Sequence, residues 1–228
     1  MSKRENILVV DVETCGAQNN KVYDLGWAIV EKATKRIIES GSYAIAEVFY
    51  GCSREMRSAY YGEKLPQYFS GIRSGEWTVM PPLNARDIIT AAMKRHNVKK
   101  VYAYNCKFDR NALNSTVRIV TENKFSYFFP YGTQFCDIWH IACQTTMKQR
   151  GFGRFARAHG FVSEKGNLRT SAEVCYAYIT KNPEFEEDHT GLADVMIEIE
   201  ILHHALRQKK RTKHGIISHP WRLVQEGA

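Results

Sequence analysis

Apolar residues follow two rhythms along this chain, and their order predicts strands first and helices later. Ile7-Leu8-Val9-Val10 is a continuous apolar run that leads into Asp11-Val12-Glu13-Thr14. Such a run predicts a strand buried on both faces, as at the centre of a sheet between helices. Val22–Val30 and Arg36–Ala44 predict two more strands, joined through Lys32-Ala33-Thr34-Lys35 into a meander with Trp27 and Tyr43 as packing residues. Cys15–Asn20, rich in small and amide residues, reads as a turn. Val101–Tyr104 predicts a short strand, with a helix after it to about Val120. A fifth strand is expected within 125–136, where Phe125, Tyr127, Phe128 and Phe129 favour extended backbone.

The helical rhythm begins at Asn84–His96, with Asn84 as cap and Ile88, Ile89, Ala92 and Met93 on one face. Asp137–Thr145 and Phe152–His159 read as short helices. Thr170-Ser171-Ala172-Glu173 has capping-box form and should open a helix over Ser171–Lys181, with Pro183 just beyond its end. Gly191–Leu206 is the clearest amphipathic stretch, with Leu192, Val195, Met196, Ile199, Leu202 and Leu206 on one side. Residues 46–81 resist this reading. They carry seven large aromatics broken by Gly and Pro, and only a helix around Ser53–Glu63 emerges.

The 228 residues suffice for one full core, and no apolar run approaches the ~18 residues of a membrane span. Met1–Asn6 leads straight into the first strand, so no secretory leader is expected. The six cysteines are scattered without a Cys-x-x-Cys pair, which points to free, packed thiols and a cytoplasmic location. Charge changes the picture more. Within a net +8, residues 183–200 hold seven acids and no Lys or Arg, whereas Arg207, Lys209, Lys210, Arg211 and Lys213 follow without an acid. Further basic stretches are Lys94-Arg95-His96 with Lys99-Lys100, and Lys148, Arg150, Arg154 and Arg157. An acidic pocket in a basic surface suits a metal-dependent enzyme acting on a polyanion; ordinary solvation produces the same composition.

Asp11 and Glu13 alternate onto one side of the first strand, and their mutual repulsion raises both pKa values unless a cation intervenes. Hard oxygen ligands there suit Mg²⁺ or Mn²⁺. Alone, such a pair equally ends a strand in water. Asp109, after the short strand, and His189 with Asp194, at the start of the last long helix, complete four carboxylates and one imidazole. That is a set for two-metal phosphodiester hydrolysis.

Three motifs in this order resemble the DnaQ-like 3′→5′ exonucleases of the DEDDh type. Val10-Asp11-Val12-Glu13-Thr14-Cys15-Gly16 is similar to the first, Asn105-Cys106-Lys107-Phe108-Asp109 to the second, and His189-Thr190-Gly191-Leu192-Ala193-Asp194 to the third. Tyr104 stands where His is frequent, Gly191 where Ala is usual, and residues 46–81 have no family counterpart. The resemblance covers roughly residues 5–206 and leaves 207–228 as a basic tail with Trp221 as a docking anchor.

It implies an α/β, RNase H-like fold with a mixed five-stranded sheet flanked by helices. It implies release of nucleoside 5′-monophosphates from 3′ ends with two divalent ions, Mg²⁺ or Mn²⁺. Asp11 would bridge the ions, Glu13 and Asp194 would complete one site, Asp109 would support the other, and His189 would be the general base. Thr14, Asn105 and Phe108, with Lys209, Lys210 and Arg211 of the tail, are the candidate contacts to substrate. The expected partner is single-stranded nucleic acid, DNA ranked before RNA, with no membrane; a polymerase subunit or a second copy is left open. The alternatives are an exoribonuclease and a non-catalytic binding module on the same fold, and the intact five residues argue against the latter.

Overall fold

A computed structural model describes residues 5–15, 20–58 and 62–225. The strands are β1 (Asn6–Cys15), β2 (Lys21–Glu31), β3 (Arg36–Ile45), β4 (Thr78–Met80), β5 (Lys100–Ala103) and β6 (Gln134–Asp137). They form one mixed sheet in the order β4-β3-β2-β1-β5-β6. The meander β1–β2–β3 is antiparallel, while β5, β6 and β4 join in parallel. The helices are α1 (Ala46–Phe49), α2 (Ser53–Ser58), α3 (Leu65–Ser74), α4 (Pro82–Arg95), α5 (Cys106–Thr121), α6 (Ile138–Gln144), α7 (Arg150–Ala158), α8 (Ala172–Thr180), α9 (Gly191–Arg207) and α10 (Arg222–Gln225).

Strand alternation divides the core in two. Leu8, Val10 and Val12 face one apolar layer with residues of α1–α5, while Ile7 and Val9 face a second with residues of α6–α10. β1 is therefore covered on both sides, as its unbroken apolar run predicts. Asp11 and Glu13 continue the Ile7–Val9 alternation, toward the layer that contains α9. The hairpin after β2 closes as expected, with the N–H groups of Thr34 and Lys35 donating to Glu31 O.

Four expectations are corrected. The sheet has six strands, because the aromatic-rich segment adds the edge strand β4. The strand expected within 125–136 is found as β6 at the end of that window, starting at Gln134, but after the aromatics that suggested it. Phe128 and Phe129 are buried and Phe125 and Tyr127 exposed in the loop before it, so those rings reflect packing and surface rather than strand propensity. α4 begins at Pro82, whose fixed φ suits a first helical turn, and Asn84 lies inside it. The tail docks through buried Val224 and through Gln225, which brackets the Leu168 backbone at 2.9 and 3.0 Å, whereas Trp221 stays partly exposed.

Elsewhere the differences are local. α2 ends at Ser58 and a short 3-10 turn follows at Gly62–Lys64; part of the expected Ser53–Glu63 helix lies outside the described residues, as does most of the turn after β1. Ser171 caps α8 by accepting from Val174 N–H at 3.3 Å, so the cap falls one residue later than the Thr170 capping box implied. The six thiols are free and all but Cys52 are buried. Among the described residues no helix is long and apolar enough to cross a membrane.

Candidate active site

Backbone contact between two glycines brings the motifs together. Gly26 lies opposite Asp11 in the β1–β2 register, and a Cβ at Gly26 would fall on the backbone of Gly191 and Leu192. The first turn of α9 thus rests directly on β2. A Cβ at Gly191 would in turn lie 2.5 Å from Gly26 N and 3.2 Å from Asp11 O. No side chain beyond hydrogen fits at either position. The approach is fastened by Asp24, opposite Glu13 in the same register, whose Oδ2 accepts from Gly191 N–H at 2.8 Å and from Tyr68 OH at 2.7 Å. Tyr68 belongs to α3. The segment without a family counterpart therefore buttresses the third motif, and its Lys64 Nζ also bonds to the Asp188 carbonyl.

Glu13, His189 and Asp194 each offer one ligand atom, all within 4.8 Å of one another. Asp11 and Asp109 lie beside them. Burial raises Asp11 well above the usual carboxylate range, and the charges of Glu198, Asp109, Asp194 and Glu13 add to the effect. Glu13 is pushed to about 9 by burial and then by Asp194. Burial takes Asp109 to about 8 although the Val12 N–H opposes it, and takes Asp194 to about 7 with help from Asp188. One carboxylate oxygen on each of Asp11, Asp109, Asp194 and Glu198 is shut off from solvent with no hydrogen-bond partner. Buried acceptors in this state call for protons or cations. A hard divalent ion fits this set of carboxylate oxygens with one imidazole beside them.

Sequence reading missed Glu198 and Glu187 as parts of the centre. Glu198 is four residues after Asp194, one helical turn along the same face, and that spacing was the signal available. Its Oε1 accepts from Tyr104 N–H at 2.9 Å, while burial and Asp109 hold its pKa well above normal. Glu187 Oε2 lies 3.8 Å from His189 Nδ1 and is pushed to about 8 by burial and Asp194. The acidic run thus divides: Glu187, Asp194 and Glu198 enter the centre, while Glu200 pairs with Lys35 and Asp188 with Lys64 at the surface.

His189 adopts φ +50°, a left-handed conformation rare outside glycine, directly before the cap of α9. Its side chain is 28% exposed, and burial followed by the Lys64 charge lowers its pKa below the ordinary 6.5. The imidazole is therefore neutral at pH 7 and able to accept a proton.

A cleft of 330 Å³ opens on the cluster, with Asp11, Glu187, Asp194 and Glu198 on its wall and Asn105, Trp139 and Ser171 among its other residues. Asn105 enters α5 with φ +61°. Tyr104, in the frequent His position, stacks on Trp139 and donates its OH to Thr170 O at 2.5 Å. Phe108 is exposed on the first turn of α5, and Thr14 follows a register shift after Glu13. Lys209, Lys210 and Arg211 are not brought to the carboxylates. They follow the far end of α9, roughly 20 Å of helix beyond Asp194.

No protein-family model and no curated protein matches this sequence. Solved structures of E. coli exonuclease I do match in shape. The complex with a dA16 oligonucleotide aligns with 98% of this chain and 43% of its own, at 14% identity and TM-score 0.52. The zinc-bound form of the exonuclease I–ssDNA complex aligns with 91% and 42%, at 13% identity and TM-score 0.52. The apo form aligns with 90% and 42%, at 13% identity and TM-score 0.51. This chain thus spans less than half the length of those chains. The likeness establishes an RNase H-like fold, here with a buried acidic centre at the C-terminal end of β1.

Proposed function

We propose that this protein is a metal-dependent 3′→5′ exonuclease that releases nucleoside 5′-monophosphates from single-stranded DNA. The observation that carries this reading is the set of partnerless buried oxygens on Asp11, Asp109, Asp194 and Glu198 beside His189, whose burial lowers its pKa. A structural ion-pair network would include basic partners for those oxygens. The order of the three motifs supports the polarity. The oligonucleotides in the exonuclease I complexes, dA16 among them, support DNA as substrate.

Asp11, Glu13 and Asp194 would hold one divalent cation, and Asp109 with Glu198 a second, with Asp11 shared. Bound there, the cations supply positive charge to the scissile phosphate and to the oxygens that attack and leave. His189 accepts the proton of the attacking water, and Glu187 beside Nδ1 orients the ring. Asn105, Trp139 and Ser171 line the space for the terminal nucleotide. Asp24, Tyr68 and Gly26 touch no substrate and keep α9 against β2. The test is hydrolysis of end-labelled DNA with Mg²⁺ or Mn²⁺, with release of 5′-mononucleotides expected. Internal cuts would overturn the polarity, and an intact strand would overturn the nuclease reading.

A further inference from the structure

Outside the carboxylate centre, a run of unpaired positive charge lies on α7 and just before it. Arg150, Arg154 and Arg157 recur at helical spacing along one face, and Lys148 precedes them. All four are exposed and line one cavity of 440 Å³ with Leu168 and Val224 on its wall. No Asp or Glu lines it, and among the described residues none of the four cations makes an ion pair. Several other surface cations are paired: Lys32 and Lys100 with Glu5, Lys35 with Glu200, and Arg95 with Glu39. Like charges four residues apart on a helix repel. Folding gains nothing from keeping them together without an acid.

The cavity adjoins the candidate active site. Leu168 lies on its wall, and Thr170, two residues on, lines the carboxylate cleft. In extended chain that is roughly 7 Å. The Leu168 backbone is held on both sides by the Gln225 amide, and α8 starts just after Thr170 under the Ser171 cap. One fixed segment therefore separates a cluster of carboxylates from a cluster of cations. The opposite sign and the short separation match a polyanion whose cut end sits in the first and whose chain runs on into the second.

We infer that the Lys148–Arg150–Arg154–Arg157 cavity binds the sugar–phosphate backbone of single-stranded nucleic acid, upstream of the nucleotide being removed. The inference rests on the nuclease reading for what sits in the carboxylate cleft. It adds a second subsite with its own chemistry, ionic and indifferent to base. It also moves the backbone contact from the tail, which leaves α9 at its far end, to α7.

The test measures binding of a fluorescent single-stranded oligonucleotide in EDTA across a salt series. The wild type is compared with the variant Lys148→Gln, Arg150→Gln, Arg154→Gln, Arg157→Gln. Gln matches Lys and Arg in helix propensity, and thermal melts confirm that the variant is folded. Each phosphate contact on a single strand contributes about 0.7 to the slope of log affinity against log salt, so the variant should lose close to 3. A charge control, Arg73→Gln with Lys94→Gln, should leave the slope as it is. An equal loss per charge in the control, an unchanged slope in the variant, or loss of binding only to anionic vesicles would overturn the subsite. Hydrolysis by the wild type is scored separately. Cleavage with an unchanged variant slope overturns the subsite alone, and a lowered slope without cleavage overturns the nuclease reading alone. A wild type that neither binds nor cleaves overturns both.

Discussion

Glu13→Gln should stabilise the metal-free protein while abolishing its function. Burial and Asp194 push Glu13 from 4.5 to about 9, so in the folded metal-free protein it holds a proton at pH 7 that the unfolded chain releases. Because the folded pKa is the higher one, the stability linked to this group is complete below pH 4.5. It is lost progressively as pH rises towards 9. At pH 7 the loss is about 3 kcal/mol, at about 1.4 kcal/mol for each pH unit above 4.5. Glutamine has the shape of the protonated acid and no charge to neutralise, so the variant escapes that cost. For a chain of this length the gain corresponds to roughly 6–12 °C in Tm. The assay is thermal melting of both proteins in EDTA from pH 4.5 to 9. The variant should melt higher at pH 7, and the gap should close toward pH 4.5. Mn²⁺ at one hundred times its dissociation constant should all but close the gap at pH 7, because the wild type gains about 2.7 kcal/mol and the variant has lost a ligand. A variant that melts at or below wild type in EDTA at pH 7, or a gap that ignores pH, would refute the reasoning.

Three further outcomes are expected. His189→Ala should lower turnover by about 10²–10⁴-fold with metal affinity largely kept. The wild-type rate should climb with pH through a pKa below 6.5 and level off by neutrality, as burial and Lys64 dictate; a rate that falls across that range would remove His189 as base. Glu198→Gln keeps an oxygen for the Tyr104 N–H yet removes a charge, so metal affinity by calorimetry should drop about 10–100-fold; an unchanged affinity would place Glu198 outside the centre. Gly191→Ala should cost about 1–3 kcal/mol in denaturant titration and reduce activity as α9 is forced off β2; a neutral substitution would contradict the Gly26–Gly191 contact.

The site was legible where sequence distance is short and illegible where the fold supplies the neighbour. Asp11 and Glu13 could be placed on one face from strand alternation alone, and the structure puts them toward α9. The juxtaposition of Glu13, His189 and Asp194 came from motif order across more than 170 residues, not from local physics. Asp24 looked like an interior strand residue because its partners, Tyr68 and Gly191, lie 44 and 167 residues away. Residues 46–81 were opaque because Phe49, Tyr68 and Trp77 pack by tertiary contact: Tyr68 stacks on Trp77 at 4.7 Å and meets Phe49 at 5.9 Å, with no helical or strand period to betray it. The same failing moved β6, since Phe128 and Phe129 pack edge to face in a loop. The tail read as charge with Trp221, which stays partly exposed, as its anchor. Its anchoring depends on His214 O accepting from Asp137 N–H and on Gly215 O meeting His140, contacts that no composition reveals.

The most direct test of the account follows a 5′-labelled single-stranded DNA and its RNA counterpart with purified protein and Mg²⁺ or Mn²⁺. Products are resolved over time, and the released species are identified by mass. The expected product is a ladder that shortens one nucleotide at a time from the 3′ end of the DNA. Nucleoside 5′-monophosphates should be released, all activity should cease in EDTA, and none should appear with Asp11→Asn. Internal fragments, 3′-phosphate products, or DNA left whole under every metal condition would contradict it.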